Sequence, residues 1–319
     1  MSVTVPDGVR RAWPRVRLLG GLLVLAFLVY EFGTGPFADA LKVTTWTSVV
    51  AALVLNLAST LTSAWRWRLV ARALGAPLTV RQSVTGYYRS QFLNSVLPGG
   101  ILGDAHRGVR HGRRAGDVGV GLRATVWDRV LGQVVQIALT LLALAVLGTP
   151  LTGLAPVALL VVVLLACGGW LLMRLRRTAD VWVGSDLRTL LHLPTAPLVA
   201  LASIGTTAGH VAIFLVAEHA VGVDASWELQ VTIALVVLVL SSVPLNVAGW
   251  GLREGAGAWV FGYAGLGAAT GLTVSIEFGV LGALATTPGL LVLVGDVVSR
   301  RTRRTVGTDE RPLEEVRRG

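Results

Sequence analysis

Three arginines and three acids interrupt otherwise apolar sequence: Arg107, Arg129 and Arg253, with Asp104, Asp128 and Glu254 no more than three residues from their partners. A guanidinium offers a planar fork of N–H donors that matches a phosphate or a carboxylate. In apolar surroundings the arginines could bind a phosphate, and the neighbouring acids would keep them paired when the site is empty. Asn94 and Gln133 add amide groups to the same stretches, which makes Asn94, Asp104, Arg107, Asp128, Arg129, Gln133, Arg253 and Glu254 the candidate substrate-binding residues. Catalysis has less support. His106 or His210 could join Asp104 in hydrolysis, but no nucleophile or metal spacing accompanies them, so no catalytic residue, metal or cofactor is expected. A phosphate loop of the form G-x-x-x-x-G-K followed by Ser or Thr is missing from the sequence, which argues against ATP-driven work by this chain.

Chain breaks must position these groups. In "LNSVLPGGILGDAHRG", Pro98 removes an amide donor, and Gly99 with Gly100 loosens the backbone. A helix through Asn94 should end there, and a second should open near Gly103. Asp104 then falls in its first turn, where a carboxylate suits the positive helix end, with Arg107 one turn on along the same face. The order recurs in "PLNVAGWGLREGAGAW", where Pro244, Gly249 and Gly251 precede Arg253 and Glu254. Two pseudo-repeated halves would explain the recurrence. A third stretch, "TVWDRVLGQVVQIALT", places Arg129, Gln133, Gln136 and Thr140 on one helical face. Asn56, Ser59, Thr60 and Ser63 form a milder polar stripe, read as hydrogen-bonding glue between helices. The glycines of "GYAGLGAATG" are read as close-packing positions, and His210 as a satisfied core residue.

The setting is a membrane. The 319 residues are 53% hydrophobic and 14% charged, with a mean hydropathy of +0.68, and the apolar residues run in blocks of spanning length. Blocks at Leu18–Phe32, Trp46–Ala64, Thr125–Leu147, Ala155–Met173, Ala196–Ala220, Glu228–Val243 and Ala268–Val294 predict helices. Ser83–Leu102 and Pro244–Gly267 predict interrupted or re-entrant elements, because irregular backbone at membrane depth must be buried by protein or lined by water. The expected fold is an all-α polytopic bundle of about eight transmembrane helices with two such elements. It divides into a basic N-terminus (1–17), a membrane domain (18–297) and a basic tail (298–319) expected to be disordered. The +10 charge is almost all arginine, clustered at block ends. By the positive-inside rule this puts both termini in the cytoplasm, with Trp65 and Trp67 of "WRWRLVAR" as interfacial anchors. Nucleic-acid binding is not expected from arginines distributed in this way. Cys167 stands alone, so neither a disulfide nor a thiolate site can form within the chain.

These motifs resemble the flippase-like membrane region of lysylphosphatidylglycerol synthases. The resemblance rests on Asn94, Pro98, Gly103, Asp104 and Arg107, on Asp128 and Arg129, and on Pro244, Gly249, Gly251, Arg253, Glu254 and Gly255. Leu102 departs from it, since relatives usually carry a glycine there. The resemblance covers the chain from the first apolar block to Val294. It implies a translocator in the cell membrane that moves an anionic or aminoacylated phospholipid, or a polyprenyl-linked lipid, without the transferase domain that makes aminoacylated lipid. The alternative is a non-transporting scaffold for a lipid-modifying or cell-envelope enzyme, which would be its partner.

Overall fold

A computed structural model describes residues 29–31, 33–97, 101–154, 156, 179–192, 194–242 and 251–296. These residues form helices and no strand. Four helices are long and apolar enough to cross a membrane: α2 (Trp46–Ala73), α5 (Val118–Val146), α7 (Thr195–Val221) and α10 (Ala268–Ala285), which continues past a turn at Thr286 and Thr287 to Asp296. At 1.5 Å per residue each extends about 40 Å, beyond the ~30 Å of bilayer hydrocarbon. Between them lie α1 (Gly35–Val43), α3 (Val80–Val96), α4 (Leu102–Ala115), α6 (Ala179–Leu191), α8 (Trp227–Leu240) and α9 (Leu252–Tyr263). The predicted block at Glu228–Val243 forms α8, which at 14 residues reaches only about 21 Å. The blocks at Leu18–Phe32 and Ala155–Met173, Cys167 and the C-terminal tail lie wholly or almost wholly outside the described residues.

Local chemistry sets the helix ends. Thr45 starts α2 with a capping box, its hydroxyl accepting from the Ser48 amide while Ser48 Oγ accepts from the Thr45 amide. Asp117 starts α5 by accepting from the amides of Gly119 and Val120. Gly116, at φ +84°, lets the chain reverse between α4 and α5 in a conformation that a side chain would strain.

The first predicted break separates α3 from α4. The helices stop at Val96 and resume at Leu102, on either side of Pro98 and Gly99, which lie outside the described residues. The two run antiparallel: Asn94 meets Gly103, Ser90 meets Asp104, and Gly86 meets Arg107. A Cβ on Gly103 would lie 2.1 Å from the Ser90 carbonyl oxygen, so the turn closes only with glycine there. The tip meets α10 well inside that helix's ends, with Ser95 Oγ 3.4 Å from Thr286 Oγ1. At the opposite end of the hairpin, Arg89 reaches Asp296.

Small residues let the long helices approach closely. The Asn56 stripe on α2 does the joining expected of it. Asn56 donates to the Ala285 carbonyl at 2.9 Å, Thr60 to Gln91 at 3.1 Å, and Ser63 shares a hydrogen bond with Thr206 on α7. Ser59 faces Gly209, where a Cβ would lie 2.0 Å from its hydroxyl. Similarly, a Cβ on Gly121 of α5 would lie 2.3 Å from the Gly112 amide nitrogen of α4, and one on Gly271 of α10 would lie 2.3 Å from the Gly257 carbonyl oxygen of α9. Of the glycines in "GYAGLGAATG", only Gly271 is a tight packing position. Gly265 and Gly267, both at positive φ, shape the turn before α10, and Gly262 has ordinary van der Waals clearance.

The helix contact gives a stability prediction. Gly271→Ala places a methyl group against backbone, whereas Gly282→Ala, on the same helix, meets nothing within 4 Å. Both gain the helix propensity of alanine, so their difference isolates the packing. Gly271→Ala should unfold at a lower temperature than Gly282→Ala in detergent, by the equivalent of about 1–3 kcal/mol. Equal midpoints would show that α9 and α10 are not in contact there.

Candidate functional site

At the flank of the α3–α4 hairpin, five charged residues from α2, α4 and α5 meet, joined by uncharged polar groups of α3. Asp128 on α5 is fully buried. Its Oδ1 accepts from Arg66 Nε at 2.8 Å, and its Oδ2 accepts from Arg107 at 3.0 Å and from the Tyr87 hydroxyl. The same Arg107 nitrogen lies 3.0 Å from Asp104 Oδ1. Asp104 also accepts from Ser90 Oγ at 2.8 Å and from Asn94 Nδ2 at 3.0 Å, and it pairs with Arg129. Asn94 accepts from the Gly103 amide through its other side-chain atom, which ties the break to the charge cluster.

The Arg107 guanidinium lies between two aromatic faces, 4.4 Å from the Trp67 centroid and 3.9 Å from that of Tyr87. Cation–π attraction offsets part of the penalty of taking it out of water. Two of its nitrogens, Nε and one terminal NH, are buried without an acceptor among the described residues. Gly132 makes room for Arg66, since a Cβ there would lie 2.6 Å from a terminal nitrogen of that guanidinium. Three guanidiniums, those of Arg66, Arg107 and Arg129, thus share the carboxylates of Asp104 and Asp128, leaving one positive charge in excess within these five residues.

Exposure divides the cluster. The side chains of Arg107 and Asp128 are 1% and 0% exposed, whereas that of Arg129 is 47% exposed while still held by Asp104. Arg129 lies eleven residues beyond Val118, the first residue of α5 (129 − 118 = 11), about 16 Å along a helix long enough to span a bilayer. Gln133 lies one turn further, half-buried, with its amide nitrogen lacking a partner among the described residues.

The second predicted element builds a separate pair. Glu254 is fully buried in the first turn of α9, accepting from the Gly251 amide and, at 3.0 Å, from Arg253 Nε. Arg253 lies over Phe278 and against Gly279, where a Cβ would lie 2.1 Å from its guanidinium. Gly279 is seven residues, two turns, before Thr286, where the first hairpin's tip meets α10. Pro244 and Gly249 lie outside the described residues, and the flanking helices end at Leu240 and resume at Leu252.

Sequence reasoning omitted Arg66, Trp67, Tyr87 and Ser90 from the site. Trp67 is a correction: it is 2% exposed and packs on Arg107 instead of anchoring at an interface, whereas Trp65 is exposed. The polar stripe held the missing signal. Asn56, Ser59, Thr60 and Ser63 continue at the same three- and four-residue spacing to Arg66, which places that arginine on the inward face. His210 Nδ1 lies 2.9 Å from the Thr206 carbonyl oxygen, as a satisfied core residue would. Glu277 accepts from the Thr44 hydroxyl at 2.6 Å. No group of three His, Cys, Asp or Glu able to hold a metal occurs among the described residues.

The shared acid gives a second prediction. Asp128→Asn keeps the shape but leaves Arg66 and Arg107 buried without the carboxylate they share. Loss of one partner from a buried charge pair costs about 3–5 kcal/mol. The variant should show a large drop in unfolding temperature or in folded yield, larger than that of Asp104→Asn at the cluster's more open side. An Asp128→Asn protein as stable as wild type would show that the carboxylate does not hold the cluster.

Residues 15–289 match the family model described as the lysylphosphatidylglycerol synthase TM region. No curated protein and no solved structure matches the chain. With the match covering most of its length, the chain belongs to the lysylphosphatidylglycerol synthase transmembrane-region family.

Proposed function

We propose that this chain translocates a lipid with an anionic or aminoacylated headgroup, either a phospholipid or a polyprenyl-linked lipid, across the cell membrane. The half-exposed Arg129 guanidinium carries the reading, since it sits about 16 Å along a membrane-length helix. A charge facing hydrocarbon near a helix centre costs roughly 2.5–3.5 kcal/mol or more, so a half-exposed guanidinium within a spanning helix is best accommodated beside a hydrated groove. A lipid phosphate moving along that groove would meet Arg129 in place of Asp104, while Arg107, Arg66 and Asp128 hold the wall behind it. The enclosed half of the cluster, taken alone, would suit a static scaffold for a lipid-modifying or cell-envelope enzyme. Arg129 favours transport, because its ion pair with Asp104 is half-exposed where a static scaffold would gain by enclosing it.

The topology we infer supports such a groove. The α3–α4 hairpin has its tip partway along α10 and its arginine-rich open end at Asp296, the arrangement of an element that enters and leaves on one side. By the positive-inside rule that side is cytoplasmic, as are both termini. In the second half, α8 and α9 flank the other break, and α9 packs on the following long helix through glycines, as α4 packs on α5. Helices α2 and α7 lie antiparallel, joined near their middles at Ser59 and Gly209. The halves would then be inverted repeats, with the second hairpin entering from the outer side, an organisation that places substrate sites at broken helices.

Arg129→Gln tests the function. Purified protein in liposomes carrying fluorescent phosphatidylglycerol, lysyl-phosphatidylglycerol or a polyprenyl phosphate should expose one of these lipids to a membrane-impermeant quencher. The variant should slow that movement at least tenfold, about 1.4 kcal/mol or more, with an unfolding temperature near wild type because Arg129 is the cluster's outermost member. Wild-type protein that is folded but moves none of the three lipids would overturn the reading, as would a variant of unchanged rate.

A further inference from the structure

A second charge cluster lies at the open end of the α3–α4 hairpin, away from Asp104 and Asp128. Arg89 on α3 and Arg110 on α4 both reach Asp296 at the end of α10. Arg89 bonds Oδ2 at 2.6 Å, and Arg110 grips both carboxylate oxygens, with Oδ1 at 2.9 Å. Arg114, one turn on from Arg110, adds a third positive charge close enough to repel Arg89. Two guanidiniums thus share one carboxylate, with further positive charge beside them.

Burial is uneven across this cluster too. The Arg89 side chain is 5% exposed, and its Nε is buried without an acceptor among the described residues. Asp296 is 30% exposed and Arg110 20%, so the acid faces the opening and the unfilled donor lies behind it. A buried N–H on a cation with no acceptor is unusual in a finished structure, and here it adjoins a carboxylate held by a fork that fits a phosphate equally well.

We propose that Arg89 and Arg110 form a binding site for a phosphate-bearing anion, in which the phosphate replaces Asp296. On α4 the cluster is followed within one turn by Arg113 and Arg114, and by the positive-inside rule such arginines belong on the cytoplasmic face, where anionic headgroups lie. A headgroup phosphate of an anionic lipid therefore reaches it without crossing the membrane, and free phosphate reaches it from solution. The two non-bridging oxygens of a phosphodiester would take over the bonds of the Asp296 carboxylate to both guanidiniums, and a tetrahedral phosphate presents them at an angle a planar carboxylate cannot, within reach of Arg89 Nε. Binding here holds whether or not the protein moves lipid, so its failure and the failure of translocation are separate results.

The test uses the full chain purified in neutral detergent, with the unfolding midpoint followed as phosphatidylglycerol, phosphatidylcholine or inorganic phosphate is added. Phosphatidylglycerol should raise the midpoint saturably and phosphatidylcholine should not. Arg110→Gln should raise the half-saturating phosphatidylglycerol content at least fivefold. Asp296→Asn removes the competing carboxylate and should lower it at least twofold, although it breaks the same ion pairs. A merely structural cluster predicts instead that both variants lower the lipid-free midpoint and leave half-saturation unchanged, which overturns the site. An effect of inorganic phosphate at millimolar level matching that of the lipid assigns the site to a soluble anion, and a lipid-only effect assigns it to the headgroup.

Discussion

Asp128 is the group on which the rest of the site depends. A guanidinium does not give up its proton in a protein, so Arg66 and Arg107 must be buried as cations. Each loses its water, and the loss is compensated only by good geometry to an opposite charge. One carboxylate serves both because its two oxygens face different ways, Oδ1 toward Arg66 and Oδ2 toward Arg107 and Tyr87. The Tyr87 hydroxyl, 3.4 Å from an Arg66 nitrogen, links the two sides while its ring covers Arg107. The arrangement binds α2, α3, α4 and α5 at one point. Tertiary contact of that kind is what fixes two helices as short as α3 and α4, which would be marginal alone.

Such geometry demands close helix approach, and glycine supplies it on every side of the cluster. Gly103 closes the hairpin against Ser90, Gly86 faces Trp67 and Arg107, Gly132 leaves space for Arg66, and Gly112 with Gly121 brings α4 onto α5. In hydrocarbon there is no water to drive helices together, so packing and interhelical hydrogen bonds must do so. The glycines thereby let backbones approach, and the polar side chains between them find partners at hydrogen-bonding distance. Charge and packing are one constraint here, since a helix displaced by a methyl group would open the ion pairs.

This division explains what could be read from the sequence. Asp104 and Arg107 sit three apart just after a proline–glycine break, and local helix geometry alone brings them together. Helix starts with capping residues, and the prolines that follow the helix ends at Val96 and Leu240 in the sequence, are local in the same sense. Arg66 and Tyr87 meet Asp128 across sequence separations of 62 and 41 residues, and no local rule reports such a meeting. Trp67 shows the hazard of a positional rule: a tryptophan beside arginines reads as an interfacial anchor, yet here the arginine it serves is Arg107, on another helix. Four predicted blocks form membrane-length helices, and a fifth is shorter than its hydropathy implies. The block from Glu228 to Val243 is apolar enough to cross, but its helix stops at Leu240, because hydropathy sums composition and does not detect where backbone geometry changes.

The two breaks treat their acids differently, and that difference bears on mechanism. Glu254 is used locally, accepting from the Gly251 amide at the start of its own helix and from its neighbour Arg253. Asp104 occupies the corresponding first turn but turns to other elements, taking Ser90 and Asn94 from α3 and Arg129 from α5. An acid that caps its own helix start can keep its bonds when neighbouring helices shift. An acid that joins three elements cannot, since any separation of α3, α4 and α5 must break at least one of its bonds. On the translocation reading, an incoming phosphate has a direct way to drive such a separation: it competes with Asp104 for Arg129, the one cation of the cluster that is open to it. The second break would then act as the firmer half against which the first one opens.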